Sequence, residues 1–255
     1  MSVVEYEVVG AVATITLNRP DAMNSFNRAL RKDLLETIGK AEADENVRIV
    51  ILRGEGRGFC AGADLTEERY QPVDVQLETE YKPILLAITE GNKIYIASVT
   101  GAAAGIGSAL AMSCDMVFMS DDAYIYLAFA AIGLVPDGGS NWHLLNALGY
   151  MGAFEAIVEG RKITADECLK LRVANAVVPR DELKDYTNQR AEKLARGAPL
   201  AQAAVKRILR KAGSLSLSET MTMEAGEQGA LIASEDFKNA VKAFFEKRKP
   251  EFFGK

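Results

Sequence analysis

From Ile94 to Cys114 no side chain carries a charge, and the stretch is long enough to cross a bilayer as a helix. Its composition points elsewhere. Gly101, Gly105 and Gly107 interrupt it, and its apolar content divides into a half with β-branched residues, IYIASVT, and an alanine-rich half, SALAMSC. Backbone freedom at the glycines marks a turn between unlike halves, so the segment reads as a strand, a tight turn and a buried helix. No membrane association is expected from it.

The rest of the chain sets bounds on function. At 255 residues, 49% hydrophobic and 25% charged, it has an ordinary globular balance and enough length for a sizeable core. Thirty basic against thirty-five acidic residues give a net charge of -5, which provides no overall field for a phosphate backbone, so nucleic acid is not an expected partner. Cys60, Cys114 and Cys168 are too scattered for a disulfide framework or a CxxC metal site, and with His143 as the single histidine no metal is expected. A Ser-His-Asp triad would rest on that residue alone, and no GxSxG elbow accompanies it. The opening MSVVEYEVVG has acids where a secretory signal has bases, so it reads as a strand and the expected compartment is cytoplasmic.

Along the chain, Val3 to Val9 and Val12 to Leu17 suggest a hairpin about Gly10, Asn27 to Ala43 an amphipathic helix, Val47 to Leu52 a strand and Glu78 to Gly91 a helix. Short apolar stretches at 116–119 and 123–129 precede the turn Gly133 to Gly139. Beyond it helices are predicted to start near Gly138, Gly152, Thr164, Arg180, Leu200, Leu215 and Glu235. The chain is read as an α/β core over residues 1–195 with a C-terminal helical region over 196–255. Two basic clusters, Arg28, Arg31 and Lys32, and Lys206, Arg207, Arg210 and Lys211, read as solvated helix faces.

Two glycine turns carry the chemistry, Phe59 to Leu65 (FCAGADL) and Gly101 to Gly107 (GAAAGIG). The second has G-x-G but Leu110 where a dinucleotide loop needs its third glycine, and no Lys-Ser/Thr pair for a P-loop. What remains is a small-residue turn feeding a helix N-terminus, whose unpaired N–H groups suit a developing anion. Gly133-Leu134-Val135-Pro136-Asp137-Gly138-Gly139 then offers a carboxylate, which could equally serve as a helix cap.

With Asn18-Arg19-Pro20 and Asn24, these blocks in this order resemble the crotonase (enoyl-CoA hydratase/isomerase) superfamily over nearly the whole chain. The resemblance implies a superhelix of ββα turns with a C-terminal trimerisation region, a homotrimer or dimer of trimers, and an acyl-CoA thioester substrate with CoA as part of it and no separate cofactor. By position it assigns the Ala63 and Ile106 N–H groups to an oxyanion hole, and Ala22, Asn24, Ala61, Gly62 and Asp64 to CoA contacts. The two glutamates of the hydratases are matched here by Ala109 and Phe129, so standard water addition lacks its acid and base. Asp137 instead matches the carboxylate of enoyl-CoA isomerases and 1,2-epoxyphenylacetyl-CoA isomerases, closest in active-site pattern, and implies a Δ3 to Δ2 shift with Asp137 carrying the proton. The alternatives are another enolate reaction of the family, including epoxide-ring isomerisation or atypical hydratase or lyase chemistry, and a non-catalytic CoA- or RNA-binding member. Tyr124, Tyr126, Leu127, Phe129 and Ile132 are candidate apolar walls, Thr66 to Glu80 a candidate lid, Trp142 a candidate core residue, and His143 a weaker second proton donor.

Overall fold

The computed structural model describes residues 2–255. Strands β1 (Val4–Val9) and β2 (Val12–Leu17) form the predicted hairpin, turning at Gly10 with φ 60°. Helix α1 (Arg28–Ala43) starts where Asn27 Oδ1 accepts the Leu30 N–H, and β3 (Ile49–Gly54) runs two residues later than Val47 to Leu52. The helical region after the FCAGADL loop begins earlier than Glu78: α2 (Val73–Gln76), a π-helical turn (Leu77–Tyr81) and α3 (Lys82–Glu90) follow without a break.

The uncharged segment folds as its composition dictates, into β4 (Ile94–Val99), β5 (Ala102–Ala104) and the fully buried α4 (Ile106–Ser113). Then come β6 (Met116–Ser120), β7 (Tyr124–Tyr126) and α5 (Ser140–Val158), which is broken at Gly149 (φ 68°, ψ 174°). The remaining elements are β8 (Lys162–Thr164), α6 (Ala165–Lys170), β9 (Ala176–Val178), α7 (Leu183–Ala195), α8 (Pro199–Ala212), α9 (Leu217–Ile232) and α10 (Glu235–Phe245). Strands β8 and β9 have no counterpart in the sequence reading.

The large sheet has the order β1-β2-β3-β4-β6-β9 and is parallel from β2 onward; the small one has the order β5-β7-β8. Successive strand–strand–helix turns, β4-β5-α4 and β6-β7-α5, place their first strand in the large sheet and their second in the small one. Both faces of the central strands of the large sheet are covered, so β3, β4 and β6 are apolar at consecutive positions rather than alternating as the edge strand β1 does. In β3, Val50 and Leu52 join α1, α3 and α4 in the main core, while Ile49 and Ile51 face α7 with Leu183 and Ala191.

Burial overturns two surface expectations. Arg31 and Lys206 do not lie on solvated faces: their side chains are 2% and 3% exposed and sit in ion pairs with Glu67 and Glu80, and with Asp115. Lys206 Nζ also donates to the Ile88 and Lys93 carbonyls, and Arg210 meets the other Asp115 oxygen at 3.1 Å, so this cluster clamps α8 against the end of β4. Trp142, read as a core residue, is instead 52% exposed.

Candidate active site

The two glycine turns meet. Isolated bridges join Phe26 to Ala63 and Cys60 to Ala103, extending the small sheet edge into the FCAGADL loop. Gly62 lies at φ 105° and Gly105 at φ 52°, and a Cβ on Gly62 would stand 3.1 Å from the Ala104 carbonyl oxygen. Only backbone without side chains can approach so closely, and left-handed φ values suit glycine. Cys60 packs beneath this contact; burial pushes its thiol up to about 12, with the Gly62 N–H pulling the other way, so it is an inert filler.

Around this junction most N–H groups are used. Gly105 donates to Tyr126 O, Ala104 to Cys60 O, and Asp64 to Phe26 O. The Ala63 and Ile106 N–H groups donate to no acceptor among the described residues. Ile106 opens α4 behind the cap residue Gly105, so its N–H is one of the groups a helix start cannot satisfy internally, at the positive end of the helix dipole. Both residues line one cavity of about 240 Å³. Such a pair can hold an oxygen that gains negative charge.

Asp137 lines the same cavity. Its turn is fixed from below, since Gly138 at φ 60° rests on α3 and α4: a Cβ there would come within 2.5 Å of Ile106 Cδ1, 2.8 Å of Ala109 Cβ and 3.2 Å of Leu85 Cδ1. Asn141 Nδ2 donates to the Pro136 carbonyl at 2.6 Å, holding the other side. The alternative of a helix cap is not what forms: α5 starts behind Gly139 with no side-chain cap. Asp137 Oδ1 is buried with no hydrogen-bond partner, and burial raises the carboxyl above its usual range, its own N–H opposing the shift. A half-buried carboxylate with one oxygen left unpartnered is costly and points to use in chemistry.

Other acids on the cavity wall differ. Asp64 is bound by Arg19 at 2.9 Å and by Thr66, whose hydroxyl is the main cause of its lowered pKa. Glu67 pairs with Arg31, and Glu68 is an exposed rim residue. At the positions of the two hydratase glutamates, Ala109 is fully buried under Gly138 and Phe129 presents its ring to the cavity beside Gly105.

Of the predicted contacts to CoA, Ala61, Gly62 and Asp64 line the cavity, and Ala22 and Asn24 do not. The Asn24 side chain is spent inside the fold, accepting from Arg19 N and donating to Glu55 O and Gly58 O, which ties the turn before α1 to the loop after β3. Phe129 and Ile132 are cavity walls; Tyr124, Tyr126 and Leu127 are not. His143 lies beyond the cavity, its Nε2 3.3 Å from Ser113 Oγ, and burial and then the nearby Arg210 push it down to about 4, so it is neutral at ordinary pH.

The helical segment after the FCAGADL loop supplies residues that sequence reasoning missed. Leu77 and Tyr81 bracket the π-helical turn and both reach the cavity. A π turn changes the spacing of side chains along a helix, which no hydrophobic period announces. Burial pushes the Tyr81 phenol up to about 12 while Arg31, 3.2 Å from its hydroxyl, pulls against it.

The family model described as enoyl-CoA hydratase/isomerase matches residues 7–255. A probable enoyl-CoA hydratase of Rhodobacter capsulatus is 37% identical, spanning 99% of this chain and 98% of its own. The 1,2-epoxyphenylacetyl-CoA isomerase of Escherichia coli is 32% identical across 96% and 95%. The crystal structure of an enoyl-CoA hydratase from Bacillus anthracis superposes with a TM-score of 0.94 at 28% identity, covering 99% of this chain and all of that one.

Proposed function

The chain belongs to the enoyl-CoA hydratase/isomerase family, and we propose that its reaction is the Δ3 to Δ2 isomerisation of an enoyl-CoA thioester with Asp137 as the single proton carrier. The observation that carries this reading is that Asp137, one of whose carboxyl oxygens has no hydrogen-bond partner, lines the same cavity as Ala63 and Ile106, whose N–H groups have no acceptor among the described residues. The Asp137 carboxylate removes a proton from C2 of the 3-enoyl thioester. Charge then spreads onto the thioester oxygen, where the two N–H groups bind it, each such donor contributing about 3 kcal/mol to the barrier lowering. The same carboxyl returns the proton at C4, and the double bond ends between C2 and C3. Atoms balance without water, and no second acid is needed.

The surroundings favour this over hydration. Water addition needs a proton moved at the C3 oxygen and another at C2. Ala109 and Phe129 can do neither, and Glu68 sits at the rim. CoA is read as part of the substrate, held along the backbone of Ala61, Gly62 and Asp64, with Ala22 and Asn24 shaping the adjoining turn. The exposed apolar side chains Leu209, Met221 and Phe244 on α8, α9 and α10 suit a homotrimer or dimer of trimers. No described helix is long and apolar enough to cross a membrane, and no group of three or more metal-ligating side chains occurs among the described residues.

Chromatography of products tests the proposal. 3-Hexenoyl-CoA should yield 2-hexenoyl-CoA, with crotonyl-CoA hydrated far more slowly; efficient hydration without isomerisation would refute it. The pH profile adds a second check. The base must be ionised, so kcat/KM should fall on the acid side through one ionisation lying above the ordinary aspartate value of 3.8, because burial raises Asp137. His143→Gln should leave that limb in place, since His143 is already neutral above about 4.

A further inference from the structure

Ile106 reaches both halves of the reaction site. Its N–H, unpaired at the start of α4, is one of the two oxyanion donors proposed above. Its side chain is 3% exposed and runs to the turn that carries the base. A Cβ built on Gly138, the residue after Asp137, would lie 2.5 Å from Ile106 Cδ1, nearer than Ala109 Cβ at 2.8 Å or Leu85 Cδ1 at 3.2 Å. The bare Gly138 backbone therefore rests on that methyl group, and no side chain fits between them.

Hydrogen bonds do not locate the Asp137 carboxyl. Its Oδ1 has no partner in the chain, and the ties of its turn are made by other groups: the Ser140 N–H donates to Asp137 O at 3.0 Å, and Asn141 Nδ2 donates to Pro136 O. Packing holds what these bonds leave free. The seat that Ile106 offers is firm, because every residue of α4 is buried and a β-branched side chain in a helix has one strongly preferred χ1.

We propose that the Ile106 side chain is a positioning residue for Asp137, holding the proton carrier at a fixed separation from the oxyanion donor on the same residue. The chemistry requires that separation. C2, which loses the proton, is bonded to the thioester carbon whose oxygen meets the Ile106 N–H. Moving the carboxyl by about 1 Å from C2 costs on the order of a hundredfold in rate and leaves the contacts of the bound ester as they were. This role rests on Asp137 acting at C2, the reading proposed above.

Two substitutions test it. Ile106→Val deletes the Cδ1 methyl and keeps the N–H, and Ile106→Met returns a flexible apolar end to the same space. The first should lower kcat for 3-hexenoyl-CoA by about tenfold with the Kd of hexanoyl-CoA within about threefold, and the second should bring kcat back to within about threefold of the unaltered protein. On the Asp137→Asn background Ile106→Val should cause no further loss, since the side chain acts through that carboxyl. Titration of the Asp137 carboxyl by carbon NMR, without substrate, reads the seat apart from turnover. Burial holds this carboxyl above the ordinary 3.8; in Ile106→Val it should titrate lower as water gains access, and in Ile106→Met as in the unaltered protein. The other ionisable groups of the reaction cavity, Asp64, Glu67, Glu68, Arg69 and Tyr81, and His143 beyond it, are the same in all three proteins. An Ile106→Val protein whose Asp137 titrates unchanged would overturn the positioning role, as would a tenfold loss repeated in full on Asp137→Asn. A lowered titration in a protein that never isomerises 3-hexenoyl-CoA keeps the seat and refutes the isomerase proposal alone.

Discussion

Asp137→Asn is expected to lower kcat for 3-hexenoyl-CoA by about a thousandfold, within the range that a positioned general base supplies, while the Kd for a saturated acyl-CoA stays within about threefold. The amide keeps the shape of the carboxyl and cannot accept a proton from C2. Stability should move the opposite way from that of a structural residue. Burial raises the folded-state pKa of Asp137, so ionisation weakens the fold as pH rises past the unfolded-state value. The uncharged amide escapes this penalty, and at pH 7 the variant should melt at or slightly above the temperature of the unaltered protein. Glu68→Gln, at the other acid on the cavity wall without an ion-pair partner, should retain turnover within about twofold. Steady-state kinetics and calorimetric melting on the two variants check all three outcomes. An Asp137→Asn protein with full turnover would pass the proton transfer to another group, Glu68 first.

Arg31→Met is expected to produce the largest loss of stability, about 2–4 kcal/mol, read as a melting temperature lower by roughly 10 °C. Arg31 gathers the segment from Glu67 to Tyr81 onto α1. Its guanidinium donates to Glu80 at 2.7 Å, to Glu67 at 2.7 Å, to Tyr70 and Tyr81, and to the Phe26 carbonyl at 3.1 Å. Methionine fills the volume but removes the Arg31 donors from that carbonyl and from both carboxylates, which keep only Tyr70 and Gln71 at Glu80 and the Arg28 N–H at Glu67. The two glutamates are 21% and 22% exposed and can turn toward water, which keeps the loss below that of a fully buried broken pair. Its pH dependence has a definite sign. Burial alone would raise Glu80, but hydrogen bonds from Tyr70 and Arg31 outweigh it and hold the carboxyl below its usual range. A lowered folded-state pKa stabilises above the unfolded-state value and ceases to do so as pH falls through the folded one. The gap between Arg31→Met and the unaltered protein should therefore narrow below about pH 4.5. Because this segment carries Leu77 and Tyr81 to the cavity wall, KM should rise more than kcat falls.

Much of this arrangement could be read from the sequence. The hairpin at Gly10, the start of α1 at Asn27 and the strand, turn and helix of the uncharged segment follow from local patterns that packing reinforces. The three groups now found on one cavity, Ala63, Ile106 and Asp137, were marked by glycine turns and by the family resemblance, since glycines record where backbone approaches backbone. Features that depend on distant partners were not visible. Strands β8 and β9 are three residues each and exist because β7 and β6 offer them edges. Arg31 and Lys206 look like surface charges until Glu67, Glu80 and Asp115 arrive from other parts of the chain. The Asn24 side chain is a related case: it braces two loops by bonds to Arg19, Glu55 and Gly58, partners that no local pattern around Asn24 announces.

If one carboxylate relocates one proton, isotope transfer from C2 to C4 follows that proton itself. 3-Hexenoyl-CoA carrying two deuterons at C2 would be converted in ordinary water and the product examined by mass spectrometry and NMR. A half-buried Asp137 that keeps the abstracted deuteron between its two contacts should deliver a measurable fraction of it to C4 of 2-hexenoyl-CoA. A product whose C4 hydrogen comes wholly from solvent, even at the earliest conversion, would contradict the direct return of the abstracted proton by Asp137.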